Sequence, residues 1–248
     1  MNARKRSAQV AVLVAAHGER TPGAENENAR RVARALSDRG LAAEVGVGFI
    51  SGTPSIAEAL RALTSRRIIV YPLFASSGYF SRDRLVQLLD EGNRQNRELA
   101  LLTPLGLDQG MPDFVMARAG EACRDHGFAP DASTIILLAH GSRRNAASRE
   151  AAEWVAHGIQ SRSTFGDVRI ALLEEHPFLP EAANGVVGPI VVVGLFSGEG
   201  LHGARDAPRL IAELARSAVA YAGVVGSMAG IEELVVRAVE RAIAAHPA

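Results

Sequence analysis

The sequence predicts an α/β fold of two similar αβα lobes, each holding a four-stranded parallel sheet and related to the other by internal duplication. Short apolar runs alternate with amphipathic stretches along the chain, the pattern of parallel strands joined by crossover helices. The segment AVLVAAHG at 11–18 returns as TIILLAHG at 134–141, so His17 and His140 end matching apolar runs 123 positions apart. A repeat of this length has the size of an ordinary domain.

The same spacing relates later segments of the two halves. TPSIAEAL at 53–60 is matched by HPFLPEAA at 176–183. Glycine, proline and aspartate in GFAPDAS at 127–133 indicate a junction between the copies. We therefore expect an N-terminal lobe over residues 1–128 and a C-terminal lobe over residues 129–248.

The individual elements follow from composition and period. In the first half, apolar runs predict strands near 9–15, 43–49, 67–73 and 99–102, and the amphipathic stretches between them predict helices near 25–38, 55–64, 82–92 and 111–125. In the second half, strands are predicted near 133–139, 168–173, 189–195 and 218–222, and helices near 145–160, 178–185, 206–216 and 229–245. Each half is thus predicted to contain four strand–helix units.

Composition restricts the classes of partner. The 27 basic and 27 acidic side chains balance, which argues against binding to nucleic acid or to a membrane surface. No apolar run approaches the roughly 20 residues that span a bilayer. The single cysteine, Cys123, cannot form an internal disulfide, as is typical of a reducing compartment. A soluble cytoplasmic protein is expected.

Chemically capable side chains are predicted at one edge of the sheets. His17 and His140 follow the first strand of each half, while Glu174, Glu175 and His202 follow the second and third strands of the second half. In open parallel sheets, ligands bind beyond the carboxyl ends of the strands. The second half is therefore expected to carry a site, and a cleft between the lobes is expected to hold the ligand.

Two imidazoles and a carboxylate on one edge suit either of two tasks. They can bind a divalent first-row metal, or they can accept protons near neutral pH. The segment His140–Gly141–Ser142 is expected to end a strand and open a helix, which would leave free N–H groups beside the imidazole. A single histidine after a strand is usually a hydrogen-bonded capping residue, and for His17 this alternative stays open.

Three motifs carry a resemblance to a known family. AHGS after a first strand, LF…G-x-H-x-x-x-D-x-P at 195–208 and TPLGLD at 103–108 resemble the CbiX/SirB group of class II chelatases, the sirohydrochlorin cobaltochelatases and ferrochelatases. The resemblance spans essentially the whole chain and fits the long, two-repeat form. It implies a chelatase-like fold, with metal-binding and catalytic histidines at His140 and His202. It also implies an acidic partner at Glu174 or Glu175, with Glu175 taken as the metal ligand.

The resemblance implies a reaction as well. It is the ATP-independent insertion of Co²⁺ or Fe²⁺ into sirohydrochlorin or a related tetrapyrrole, with no cofactor beyond the substrate metal. A monomer is expected over a dimer. Arginine forks pair with carboxylates, in which this substrate is rich. The residues expected to bind the tetrapyrrole are Ser142, Arg143, Arg144, Arg205, His17 and Tyr79.

The first half departs from the pattern. Tyr79–Phe80 stands where a second histidine would fall, and Ser51–Gly52–Thr53 stands where the acid would fall. A non-catalytic metal or tetrapyrrole carrier on the same fold is therefore the alternative. A phosphohistidine-type hydrolase fits less well, because such enzymes need an arginine directly before the histidine and Ala16 and Ala139 occupy those places.

Overall fold

A computed structural model of the chain describes residues 10–18, 26–162, 164–198, 200 and 202–245, with the side chains of His202 and Ala204 excepted. The strands are β1 (Val10–Ala16), β2 (Glu44–Phe49), β3 (Arg67–Leu73), β4 (Glu98–Leu101), β5 (Thr134–Ala139), β6 (Asp167–Leu172), β7 (Ile190–Gly194) and β8 (Val219–Val224). The α-helices are α1 (Glu27–Asp38), α2 (Ile56–Ala62), α3 (Leu85–Gly92), α4 (Met111–His126), α5 (Ala147–Gln160), α6 (Leu179–Ala183), α7 (Ala207–Glu213) and α8 (Ile231–Ala245). The predicted fold class is confirmed.

Each half forms its own parallel sheet. The strand orders are β2-β1-β3-β4 and β6-β5-β7-β8, and every neighbouring pair is parallel. In each sheet the chain moves to one side after the first strand and to the other side for the third. The loops after β1 and β3, and those after β5 and β7, therefore flank a switch point, where ligands of such sheets bind.

The central strands are buried because helices cover them. β1, β5 and β7 consist entirely of buried residues, as expected for strands covered on both faces. In the first half, Leu13, Ile68 and Val70 pack with Leu60 of α2 and Leu85 of α3. This packing holds the carboxyl ends of the strands, and thus the loops that follow them, in fixed positions.

The compact units of the structure are not the two repeats. One unit comprises Met1–Asp108 with Ala229–Ala248, and the other comprises Gln109–Met228. The last helix of each half belongs to the unit of the other half, since α8 packs against α1 and β3, and α4 packs against α5, β7 and β8. The division at 128/129 stays a prediction about the duplication. No helix among the described residues has the length and apolarity needed to traverse a bilayer.

Candidate metal-binding and substrate-binding site

His140 leaves β5 at the switch point of the second sheet with its ring oriented by its own backbone. Nδ1 lies 2.8 Å from the carbonyl oxygen of Gly141. Because a carbonyl can only accept, Nδ1 must carry the proton, and the lone pair of the neutral imidazole is on Nε2. The hydrogen bond to the Gly141 carbonyl thus fixes the tautomer of this ring.

Glu174 is the carboxylate that lies beside this nitrogen. Its Oε1 is 3.7 Å from Nε2 of His140, and the two side chains are 55% and 41% exposed. Backbone contacts create the proximity, because the Glu174 N–H donates to the His140 carbonyl at 3.0 Å. His140 and Glu174 are the predicted site residues that the described structure brings together most directly.

Glu175 is held by other groups. Its Oε1 accepts from the Ser142 N–H at 3.0 Å, and its Oε2 accepts from Arg149 Nη2 at 2.8 Å. The Arg149 guanidinium, followed by the Ser142 N–H, lowers the pKa of this carboxyl below its ordinary value of 4.5. Arg149 also donates to the His176 carbonyl. Glu175 therefore ties two loops together, and both of its oxygens already have donors.

The expectation of free N–H groups beside His140 is wrong. Helix α5 begins only at Ala147, and a short loop separates it from β5. The Gly141 N–H donates to Ser148 Oγ at 3.1 Å, and the Ser142 N–H is taken by Glu175. The positive end of the helix is therefore displaced from the imidazole by the intervening loop.

His176 lies two residues beyond Glu174 and is also oriented. Its Nδ1 is 2.8 Å from Oε2 and 2.9 Å from Oε1 of Glu181, and its ring centroid is 4.4 Å from that of Phe178. The side chain is nevertheless 75% exposed. The Phe178 N–H and the His176 ring lower the pKa of Glu181 below its ordinary value.

His202 begins a π-helical turn, His202–Asp206, that leads into α7. The surrounding glycines predicted a loop at His202, but the backbone is already helical there. Its side chain lies outside the described part of the chain, so its predicted convergence with His140 stays a prediction. Phe80 begins the matching turn of the first half, Phe80–Arg84, which leads into α3. A π turn is a rare feature that recurs at functional sites.

The first half carries an aromatic cluster at its own switch point. His17 repeats the geometry of His140, with Nδ1 2.9 Å from the Gly18 carbonyl. The Phe80 ring stands edge-on to the His17 ring, with centroids 4.8 Å apart, and Tyr79 contacts Phe80 at 5.4 Å. Tyr79 and Phe80 are 55% and 46% exposed. Large exposed rings of this kind are typical of ligand or partner contact.

The remaining predicted substrate-binding residues are less constrained. Arg143, Arg144 and Arg205 are exposed, the first two on the loop after β5 and the third on the π turn. Ser142 serves the loop itself, because its Oγ accepts from the Arg144 N–H at 3.2 Å. Among described side chains there is no cluster of three or more His, Cys, Asp or Glu suited to a metal, and His202 is outside that set.

An open cavity of about 590 Å³ lies in the first half. Its walls come from the π turn of the first half, the start of α3 and the end of β4, including Ser81, Asp83, Val86 and Leu101. The histidines and the carboxylate lie on the switch-point loops and do not line this cavity.

Sequence reasoning missed two contributors. Arg149 anchors Glu175, and Glu181 orients His176. No local motif marks Arg149, since its partner lies 26 positions away. Glu181 could have been found, because its counterpart Glu58 has the same spacing from a Pro and caps α2 in the same way.

Fold and site together define a duplicated parallel α/β protein with a His-Gly pair at each switch point. The CbiX family model matches residues 11–122 and again 134–245, and the chain belongs to the CbiX family. The family and its two repeats, which the sequence motifs predicted, are confirmed.

Curated relatives share this family. The chain is 26% identical over 220 residues to a probable sirohydrochlorin cobaltochelatase of Halobacterium salinarum, covering 80% of this chain and 75% of that protein. It is 34% identical over 82 residues to a sirohydrochlorin cobaltochelatase of Methanocaldococcus jannaschii, covering 31% of this chain and 57% of that one.

Solved structures share the fold. A multi-domain protein of Deinococcus radiodurans, described as structurally similar to chelatases, superposes with a TM-score of 0.78 at 26% identity. The alignment covers 93% of this chain but only 55% of that protein, so the chain spans about half its length. CbiX, the terminal enzyme of siroheme biosynthesis in denitrifying bacteria, gives 0.74 at 23% identity over 93% and 98% of the two chains. SirB of Bacillus subtilis with Fe³⁺ gives 0.77 at 16% over 95% and 96%.

Proposed function

We propose that this protein inserts a divalent metal, Co²⁺ or Fe²⁺, into sirohydrochlorin or a related tetrapyrrole without ATP. Membership of the CbiX family supports the proposal, as do two curated relatives that carry the name sirohydrochlorin cobaltochelatase. The ring and the metal ion are its substrates. Transition-metal preferences overlap for a nitrogen-rich site, so a comparison of the two ions is part of the test.

The observation that carries the proposal is the pairing of His140 with Glu174. An imidazole with its lone pair on Nε2 lies 3.7 Å from a carboxylate, at the switch point of a parallel sheet. The gap between these atoms is too long for a hydrogen bond. A small cation would bring both atoms toward it, because metal–nitrogen and metal–oxygen bonds are about 2.0–2.2 Å long.

We assign the acidic role to Glu174 rather than Glu175. Both oxygens of Glu175 already accept hydrogen bonds, and a metal would have to displace a guanidinium from one of them. Glu174 has the greater exposure and the nearer imidazole. In this proposal Glu175 is a positioning residue that fixes the loop from which Glu174 extends.

His202 is proposed as the second metal-binding imidazole. Its counterpart by element order is Phe80, which also begins a π turn and whose ring contacts that of His17. If the second half repeats this geometry, His202 and His140 approach one another in the same way. In the first half, Phe80 then stands where the second half has the metal-binding His202.

The chemistry requires two protons to leave the macrocycle. Each metal ion that enters replaces two pyrrole N–H hydrogens, and the displaced protons need acceptors close to the ring. Once Nε2 of His140 has released the metal to the macrocycle, its lone pair and the Glu174 carboxylate are the bases beside the ring that can take up the two protons. The exposure of both groups lets the protons pass on to water.

We propose that the carboxylates of the substrate and its flat macrocycle are bound by different side chains. Arg143, Arg144 and Arg205 are exposed cations in the second half that can pair with carboxylates. His17 and Tyr79, with Phe80, offer aromatic surface for a flat macrocycle. In this proposal the metal ligands all come from the second half.

The test is conversion of free sirohydrochlorin by the protein with Co²⁺ or Fe²⁺, followed by visible absorption. His140→Ala and His202→Ala are each expected to lower the rate at least about a hundredfold, because each removes a metal ligand and proton acceptor. His157→Ala on the exposed face of α5 is the matched control and should keep full activity. Glu174→Gln should lose more activity than Glu175→Gln.

Full activity in both histidine variants would overturn the assignment. A carrier remains the second candidate, because the first half lacks a second histidine and an acid. It would give at most one stoichiometric spectral change per protein molecule, with no turnover.

A further inference from the structure

We propose that His176 is a surface collecting site for the divalent ion, which binds the metal weakly before the His140–Glu174 pair receives it. The proposal deepens the function given above, and its role in delivery rests on that function. Its core, metal binding by His176, can be tested without any tetrapyrrole.

The His176 imidazole is fixed although it is exposed. Nδ1 faces both oxygens of Glu181 at 2.8 and 2.9 Å, Phe178 contacts the ring, and Arg149 donates to the backbone carbonyl. Because a carboxylate accepts only, Nδ1 carries the proton and the neutral ring has its lone pair on Nε2. Nε2 has no hydrogen-bond partner among the described residues, and the side chain is 75% exposed.

A carboxylate on the far nitrogen is what metal-binding histidines usually have. It fixes the tautomer and makes the ring a stronger base toward the metal. An exposed histidine whose ring rotates freely would lose that freedom when it binds a metal. The His176 ring is already held by Glu181 and Phe178, so this cost is smaller.

The first half caps the matching helix without a histidine. In the first half Glu58 caps α2 through the Ser55 N–H and Ser55 Oγ, both at 2.8 Å, and Thr53 stands at the position of His176. In the second half Phe178 stands at the position of Ser55 and has no hydroxyl, and the His176 ring lies beside the capping carboxylate instead. The imidazole occurs only in the half that also holds the acidic pair.

Position on the loop connects His176 to the proposed insertion site. It lies two residues from Glu174, whose carboxylate is beside Nε2 of His140. A site with one protein ligand and several waters binds a first-row cation weakly and releases it readily. Rapid release suits a group that collects an ion and passes it on.

The experiment combines metal titration with kinetics of the full-length protein. In the absence of tetrapyrrole, His176→Gln should lose a weak Co²⁺-binding step seen by calorimetry in the wild type, while the step removed by His140→Ala remains. In turnover, His176→Gln should raise KM for Co²⁺ about three- to tenfold, with kcat at saturating metal and KM for sirohydrochlorin unchanged.

Glu181→Gln is the second variant, since it keeps the imidazole but removes the carboxylate. It should raise KM for Co²⁺ by a smaller factor, and Glu58→Gln, which alters the matching cap in the first half, should not change it. A His176→Gln protein with the same Co²⁺ titration as the wild type would overturn the proposal. If neither the wild type nor any variant turns over sirohydrochlorin, the proposed function is wrong. The Co²⁺ titration then still shows whether His176 binds the metal.

Discussion

Gly141 determines how the loop after His140 can run. Its φ is +71°, in the left-handed region, and a Cβ there would lie 2.9 Å from both Leu172 Cβ and Glu175 Cγ. A side chain would therefore push against the end of β6 and against the carboxylate that holds the loop. The glycine carbonyl is also the acceptor that orients His140. The backbone conformation of Gly141 and the tautomer of His140 are thus coupled.

Gly141→Ala is expected to destabilise the fold and to weaken metal binding. Left-handed backbone costs about 1–2 kcal/mol for a residue with a Cβ, and the overlap adds about 1–3 kcal/mol. Gly185→Ala is the matched control, because its φ is +72° and nothing lies within 4 Å of the added Cβ. Urea unfolding of the two variants measures the difference. Equal losses of free energy would show that the contact with Glu175 does not matter.

At this scale the sequence identified the residue types but not their contacts. His17, His140 and the acidic pair follow from their places after apolar runs. The choice between Glu174 and Glu175 does not, because it depends on a hydrogen bond from Arg149 and on a loop N–H. Neither contact leaves a periodic signal in the chain.

At the scale of elements, a carboxylate joins α5 to two loops. Glu175 accepts from Arg149 of α5 and from the loop after β5, while it is itself part of the loop after β6. Its pKa is lowered by the Arg149 and Ser142 contacts. A carboxyl whose folded pKa is depressed stabilises the fold above its unfolded pKa, and this contribution is lost as pH falls through the folded value.

The free energy of unfolding of the wild type should therefore fall more steeply with acid than that of Glu175→Gln. The two curves should be separated above the ordinary carboxyl pKa of 4.5 and should converge as pH falls from there through the lower pKa of the folded protein. Urea unfolding from about pH 6 to 3 measures this, with Glu174→Gln as the control that leaves both contacts intact. Parallel curves would mean that the Arg149 contact adds no pH-dependent stability.

Strands were predicted better than the loops that follow them. The buried runs of β1, β3, β5 and β7 read directly as continuous apolar segments. The start of α5 close to His140 was not resolved from sequence, because Ser142, Asn145 and Ser148 hold the intervening loop by side-chain to backbone contacts. Such polar residues are compatible with either a helix start or a turn.

At the scale of the whole molecule, the two halves exchange their last helices. α8 packs on β3 and α1, and Arg241 of α8 donates to the buried Asp108 carboxylate at 3.3 Å. Arg31 and Arg39 on α1 or at its end pair with Glu232 and Glu233 of α8. Periodicity predicted both helices, but it does not say which sheet an amphipathic face will cover.

A fragment of residues 1–128 is expected not to fold on its own. Without α8 its first sheet would expose the surface under that helix, and its α4 would lack β7 and β8. Circular dichroism should show no cooperative unfolding, and addition of a 129–248 fragment should restore it. A fragment that melts cooperatively by itself would show that the exchange is dispensable.

The exchange also bears on how the duplication arose. When two copies of one protein trade an identical segment, the result is a domain-swapped dimer. Joining the end of one such copy to the start of the next leaves a single chain in which each sheet keeps its neighbour's terminal helix. α4 and α8 are arranged as the terminal helices of such a fused pair would be.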